Sequence, residues 1–162
     1  MKKIIYLAGG CFWGVEAYFK DIKGVKNTKV GYANGNTEKT SYEDLKQTDH
    51  AETVAVQFDG DEKTLKRILD YFYYIIDPFS INKQGNDVGR QYRTGIYADD
   101  ELNLSFAKKF LEEKQKNEDR KIMVEVDKLL NFVVAEDYHQ DYLEKNPRGY
   151  CHIDLLDKPD LD

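Results

Sequence analysis

At 162 residues the chain is long enough to bury a sizeable core in one domain and too short for two. Hydrophobic residues make up 41% and charged residues 33%, which excludes a disordered or repetitive chain. Lys and Arg number 24 against 30 Asp and Glu, a net charge of −6 spread along the chain; with no basic stripe, nucleic acid and anionic membrane surfaces are excluded as partners.

The segment Met1 to Cys11 has a charged start, an apolar run and small residues before a cysteine, as an export signal does. Only Ile4 to Ala8 are apolar, however, and a signal needs about 7 to 15 such residues. Residues 3–8 therefore read as a short buried strand. No run of about 20 apolar residues occurs, so no spanning helix is expected, and a cytoplasmic, reducing setting is the default. Gly9-Gly10 break the strand, and Phe12, Val15, Phe19 and Ile22 recur at helical spacing until Gly24. Residues 25–33 are extended and close on the Asn34-Gly35-Asn36 turn, and Val54, Ala55, Val56 and Phe58 form another strand. Leu65, Ile68, Leu69, Phe72 and Ile76 mark one face of a helix over 62–76, stopped at Asp77-Pro78.

From Asp77 to Gln91 there is no periodicity, and a loop of that length commonly builds a site. Tyr92 to Tyr97 reads as a strand, Leu102, Phe106, Phe110 and Leu111 as a second long helix, and Ile122, Val124 and Val126 as a half-buried strand. A short helix over 136–145 precedes Pro147 and Gly149. The order β-α-β-β-α-β-α-β-α predicts a single domain over 1–162. Its class is α/β: a two-layer sandwich of the ferredoxin-like plait type, with helices flanking a mixed, mostly antiparallel sheet and an irregular tail over 146–162.

The two cysteines, Cys11 and Cys151, are too far apart for a paired-cysteine zinc site or a C-x-x-C redox motif, so they are inert or they meet in space. His50, His139 and His152 lack ligand-like spacing, and neither a metal nor another cofactor is expected. Cys11 follows a strand and two glycines and opens a helix, so backbone N–H groups and the positive helix end face its sulfur. Cysteines so placed ionise at roughly 3.5 to 7.5 instead of about 8.5, and a thiolate is expected. Spacing alone leaves both a nucleophile and a buried, inert cysteine open.

The residues around Cys11 carry the reading further. Gly10-Cys11-Phe12-Trp13-Gly14-Val15-Glu16 resembles the active-site signature of the peptide methionine sulfoxide reductase A family. The resemblance continues through Gly31-Tyr32-Ala33-Asn34-Gly35, Asp49-His50-Ala51-Glu52, Gln84-Gly85-Asn86-Asp87, Gln91-Tyr92-Arg93, Ala135-Glu136-Asp137-Tyr138-His139-Gln140 and Gly149-Tyr150-Cys151, about residues 4–154 in all.

Such an enzyme needs a thiolate to attack the polarised sulfur of a sulfoxide, an acid and hydroxyl donors for its oxygen, and an apolar wall for its methyl group. The resemblance implies Cys11 as nucleophile, Glu16 as acid, Tyr32 and Tyr92 on the oxygen, and Phe12 and Trp13 around the methyl group. Asp87 is implied on the substrate backbone, and His50 and Glu52 near the substrate; Asp49 departs from the glycine usual before that histidine. His139 reads as surface or packing. The resemblance further implies that Cys151 condenses with a Cys11 sulfenic acid and that thioredoxin reopens the disulfide. The substrate implied is the S epimer of methionine sulfoxide, free or in proteins, and the chain reads as a monomer. Rival readings of the same cysteine pair are a thiol peroxidase and a redox sensor.

Overall fold

The computed structural model describes residues 3–161; Met1, Lys2 and Asp162, counted above within the single domain, lie outside the described residues. Among the described residues eight strands form: β1 (Ile4–Gly9), β2 (Val25–Ala33), β3 (Ala51–Phe58), β4 (Lys83–Gln84), β5 (Asp87–Val88), β6 (Thr94–Ala98), β7 (Glu125–Lys128) and β8 (Phe132–Val134). Five α-helices accompany them: α1 (Phe12–Lys20), α2 (Leu45–Thr48), α3 (Glu62–Ile75), α4 (Glu101–Lys116) and α5 (Tyr142–Lys145). The main sheet runs β7-β6-β1-β3-β2-β8, with every pair antiparallel except β6 and β7; β4 and β5 make a separate hairpin.

Period-two alternation divides the two faces of this sheet. Ile5, Leu7, Val30, Val54, Val56 and Ile96 meet the apolar faces of the helices, including Val15 and Phe19 of α1, Ile68 and Phe72 of α3, and Phe110 of α4. The opposite face is covered lightly, by Ala8, Ala33, Ala51 and Tyr97 packed with Tyr6, Leu129 and Phe132. Asp61 caps α3 by accepting from the Lys63 N–H, and Asp100 caps α4 by accepting from Leu102. Helix α1 has no Asp, Asn, Ser or Thr cap of this kind, because Cys11 occupies the N-cap position and its sulfur faces first-turn N–H groups.

Two expected elements are corrected. The helix expected over 136–145 is a 3-10 turn, Asp137–His139, followed by α5, with Asp141 between them at φ 54°. Tertiary hydrogen bonds win over helix propensity there: the Gln140 amide accepts from Val30 N–H and donates to Val30 O, capping the edge of β2, while Asp141 N–H donates to Glu16. The strand expected at Ile122–Val126 starts three residues later as β7, since Met123 N–H is drawn to Pro78 O. The loop over 77–91 contains the β4–β5 hairpin, and β8 and α2 were not foreseen.

Candidate active site

Gly10, at φ 91°, turns the chain from β1 into α1 and brings Cys11 to the helix start. The Cys11 sulfur receives the backbone N–H groups of Trp13 and Gly14, the arrangement expected of a helix-capping cysteine. The side chain is only 7% exposed, and Glu52 and Asp87 are close enough to repel a negative sulfur. Burial first, then Glu52, pushes the thiol up to about 12. The expected thiolate is therefore corrected: in the resting protein desolvation outweighs the helix end, and Cys11 is a protonated thiol.

Glu52 lies on β3, opposite Tyr32 on β2, and is 2% exposed. Its Oε1 accepts from Phe12 N–H at 3.3 Å and its Oε2 from Gln91 Nε2 at 3.2 Å, so the carboxyl is fastened to the same helix turn as the sulfur. Burial, reinforced by Asp87, raises it to about 8, and it carries a proton at neutral pH. Tyr92, which ends the 3-10 turn Arg90–Tyr92, hydrogen-bonds Tyr42, and both phenols are raised by burial and then by the Glu52 charge. Two hydroxyls and a protonated carboxyl thus converge beside the sulfur. Asp87, on the β4–β5 hairpin, accepts from the Tyr150 hydroxyl at 3.1 Å.

The apolar side of the site is built from rings. Trp13 stacks on Tyr142 at 3.7 Å and 11°, and its Nε1–H donates to His139 Nδ1 at 3.0 Å. The indole only donates, so His139 accepts at Nδ1 and carries its ring proton on Nε2. His139 is 2% exposed and packs against Phe12, Tyr42 and Tyr138; burial depresses its basicity, so the ring stays neutral. Of the two readings of His139, surface or packing, the surface one is corrected: the ring is buried in packing and also accepts from Trp13.

Other expected positions also change. Glu16 is buried with its oxygens engaged elsewhere: Oε2 accepts from Thr28 Oγ1 at 3.0 Å and Oε1 from Asp141 N–H at 2.8 Å. It lines a depression of about 350 Å³ with Lys20, Asp141 and Leu155, and both of its oxygens are engaged on that side of α1. The reason is rotational: Cys11, at ψ 121°, precedes the helix proper, and Glu16 turns to the Thr28 and Asp141 side of α1. Tyr32 is fully buried under Phe12, ring centroids 5.6 Å apart, with its hydroxyl donated to Glu136 Oε1 at 2.8 Å. Glu136 Oε2 accepts from Tyr42 N–H, so this pair supports Tyr42 from below instead of meeting substrate oxygen.

His50, expected at the substrate, is buried against Gly35, and its Nδ1 bonds Thr48 Oγ1 at 2.9 Å. It secures the 34–37 turn. Asp49 stands at φ 61°, a conformation that suits glycine, and its carboxylate takes both Nε and Nη2 of Arg90, at 2.7 and 2.9 Å. Sequence reasoning missed Tyr42, Gln91 and Tyr142 as site residues. Gln91 belongs to the Gln91-Tyr92-Arg93 run, whereas nothing local marks Tyr142 or Tyr42, which meet Trp13 and Tyr92 only in the fold.

Cys151 is half-buried and, like the buried Cys11, free, and its thiol donates to Ile153 O at 3.1 Å. The tail carrying it lies across α1 at Gly14, where an added Cβ would come within 3.0 Å of the Cys151 sulfur. Gly14 therefore touches both sulfurs, one through its N–H and the other across its bare Cα. Among the described residues no group of three or more His, Cys, Asp or Glu is arranged to hold a metal ion, and no helix is long and apolar enough to cross a membrane.

A sequence model of the family described as "Peptide methionine sulfoxide reductase" matches residues 3–160. Reduced Mxr1 from Saccharomyces cerevisiae is similar, with a TM-score of 0.85 and 41% identity over 92% of this chain and 88% of that one. Methionine sulfoxide reductase A of Corynebacterium diphtheriae gives 0.86 and 33% identity over 92% and 77%. Yeast Mxr1 in complex with Trx2 gives 0.61 and 29% over 86% and 84%. A helix-held thiol, neutral proton donors and a ring-lined wall are what sulfoxide reduction requires, and with these similarities they make the chain a member of the peptide methionine sulfoxide reductase A family, an oxidoreductase acting on methionine sulfoxide.

Proposed function

We propose that the enzyme reduces the S epimer of methionine sulfoxide, free or within proteins, by a two-cysteine cycle completed by thioredoxin. The observation that carries this reading is the buried Glu52 carboxyl, neutral at pH 7 and bonded to the very turn that holds Cys11. Glu52 gives its proton to the sulfoxide oxygen, Tyr42 and Tyr92 donate hydrogen bonds to the same oxygen, and Phe12 and Trp13 take the methyl group. In net terms the oxygen passes from methionine sulfur to Cys11: the thiol becomes a sulfenic acid, and two electrons move from Cys11 to the thioether. Asp87 binds the backbone of the substrate methionine once Tyr150 releases it. Hydroxyls on one side of the sulfur and rings on the other make the pocket chiral, which supports selection of one epimer.

Cys151 then attacks the sulfenic sulfur, water leaves, and a Cys11–Cys151 disulfide forms. An external dithiol must open it, and the complex of the yeast relative with Trx2 supports thioredoxin in that role. We read the chain as a cytoplasmic monomer, and its four central strands, β6-β1-β3-β2 joined through α1 and α3, as a ferredoxin-like plait extended by β7 and β8. The test uses purified protein with dithiothreitol. It converts methionine-S-sulfoxide, leaves the R epimer and loses activity on Cys11→Ser; Cys151→Ser retains turnover with dithiothreitol and loses it with thioredoxin. Equal turnover of both epimers, or thioredoxin-driven rates unaffected by Cys151→Ser, overturns the reading.

A further inference from the structure

His152 follows Cys151 directly, and its Nε2 lies 3.1 Å from the carbonyl oxygen of Gly9 at the end of β1. A carbonyl only accepts, so Nε2 carries the ring proton and Nδ1 of the neutral ring holds a free lone pair. That Nδ1 is buried and has no hydrogen-bond partner. An unmet buried acceptor is rare in a folded protein and calls for a reason. The missing side chain of Gly14 locates one: the point where its Cβ would stand is 3.0 Å from Cys151 Sγ and 3.5 Å from His152 Nδ1. Cys151 Sγ and His152 Nδ1 thus both border the small space beside the Gly14 Cα, and that residue's N–H is aimed at the Cys11 sulfur.

We propose that His152 is the base of the resolving step, taking the proton of the Cys151 thiol as that sulfur attacks oxidised Cys11. The inference rests on the two-cysteine cycle above. The S–H turns from Ile153 O to Nδ1, and the proton passes to His152. The sulfur electron pair forms the bond to Cys11 sulfur, the Cys11 S–O bond breaks, and the departing hydroxide takes the proton from the imidazolium and leaves as water. One cysteine sulfur is oxidised and the other reduced, so no further oxidant is needed.

The surroundings suit a base. Burial holds the ring neutral at pH 7, and Asp87 on the β4–β5 hairpin favours the imidazolium when it forms. From β4 the neutral Gln84 side chain packs beside it at Gly10. Asp154 on the same tail and burial both hold the Cys151 proton on sulfur, so this thiol needs a base to react. Tyr150 and Cys11 also lie near, and both are neutral at pH 7.

The experiment mixes reduced full-length protein with methionine-S-sulfoxide in the absence of reductant. Acid quenching at intervals allows free thiols to be counted and the Cys11–Cys151 bond to be found by mass spectrometry. His152→Gln keeps an N–H for Gly9 O but has no basic nitrogen. It is expected to slow disulfide formation at least about tenfold at pH 7 and to make the rate climb about tenfold per pH unit, since the proton must then leave to solvent. Wild-type protein supplies a reading that needs no variant: its disulfide step falls as pH drops through the His152 titration and is level above it. Glutamine at wild-type rates with a level pH profile, or a wild-type profile that keeps climbing to the ionisation of Cys151, overturns the proposal and leaves His152 a tether. Absence of any Cys11–Cys151 bond in wild-type protein overturns the two-cysteine cycle and the role of His152 together, whereas equal rates of bond formation remove His152 alone.

Discussion

Replacing Glu52 by glutamine tests the acid at the atom that carries the proton. With the carboxyl raised to about 8, about nine in ten molecules hold that proton at pH 7, against about 0.2% for an ordinary glutamate near 4.3. The burial of one side chain thus raises the acid form about 400-fold. Glutamine preserves the shape and the acceptor for Phe12 N–H but has no proton to transfer, so single-turnover release of methionine should fall by about 10²- to 10⁴-fold. Glu16→Gln is the control, expected within about threefold of wild type, because its carboxyl serves only Thr28 and Asp141. The assay is rapid quenching with enzyme in excess over methionine-S-sulfoxide from about pH 5 to 10. Wild-type rates should be level up to about pH 8 and then fall about tenfold per unit, since ionised Glu52 has lost its proton and repels a negative Cys11. Glutamine abolishes that limb. A Glu52→Gln rate near wild type beside a collapsed Glu16→Gln rate would refute the assignment, as would a limb at pH 4 to 5.

The same burial has a stability signature. Glu52 is raised from 4.5 to about 8 on folding, so its cost is absent below the unfolded value, grows as pH rises, and is complete above the folded one. By denaturant titration Glu52→Gln should match wild type near pH 4 and exceed it at pH 9, by at most about 5 kcal/mol. Gly14→Ala places a Cβ 3.0 Å from Cys151 Sγ and 3.4 Å from Ile153 Cδ1; quenched-flow thiol counting should show disulfide formation slowed about tenfold more than methionine release. His139→Phe keeps the ring among Phe12, Tyr42 and Tyr138 but removes the acceptor for Trp13, and steady-state assays should show KM for the sulfoxide raised about five- to tenfold. Asp49→Asn retains a residue tolerant of positive φ and deletes only the charge facing Arg90. Arg90 depresses the Asp49 pKa, so the pair stabilises at neutral pH and fades as pH falls through that depressed value. With Asp49 32% and Arg90 54% exposed, chemical unfolding should show a loss of no more than about 1 kcal/mol at pH 7 and none near pH 2.

The parts of this molecule that could be read from sequence are those determined by neighbours along the chain. The apolar periodicity of α3 and α4, the alternation of β3 and the strand, glycine turn and helix around Cys11 are local patterns, and they fold as their spacing dictates. Misreadings fall where a distant group decides. Glu16 is five residues from Cys11 yet faces Asp141, whereas Glu52 is forty residues from Phe12 and bonds its N–H. Tyr32 is held away from its expected partner for a similar reason: Glu136, from the far end of the chain, takes its hydroxyl and also the backbone N–H of Tyr42, a residue nothing in the sequence marked. The split of the 136–145 helix follows from the Gln140 side chain standing in for a strand at the edge of β2.

The high resting pKa of Cys11 also bears on what the site is built to attack. At about 12, only about one sulfur in 10⁵ is ionised at pH 7, so a peroxide, which brings no charge to stabilise the anion, meets an almost inert thiol. On the proposed mechanism a sulfoxide is different, because its sulfur carries the positive end of the S–O dipole and would dock beside the nucleophile while its oxygen accepts from Glu52, Tyr42 and Tyr92. Bringing Cys11 from about 12 to near neutrality takes about 7 kcal/mol, and that energy comes only with a ligand whose positive and negative ends match the sulfur and the donors together. On that mechanism discrimination would lie in ionisation as well as in shape: burial holds the proton on the resting thiol, and a matching substrate would release it to the helix N–H groups.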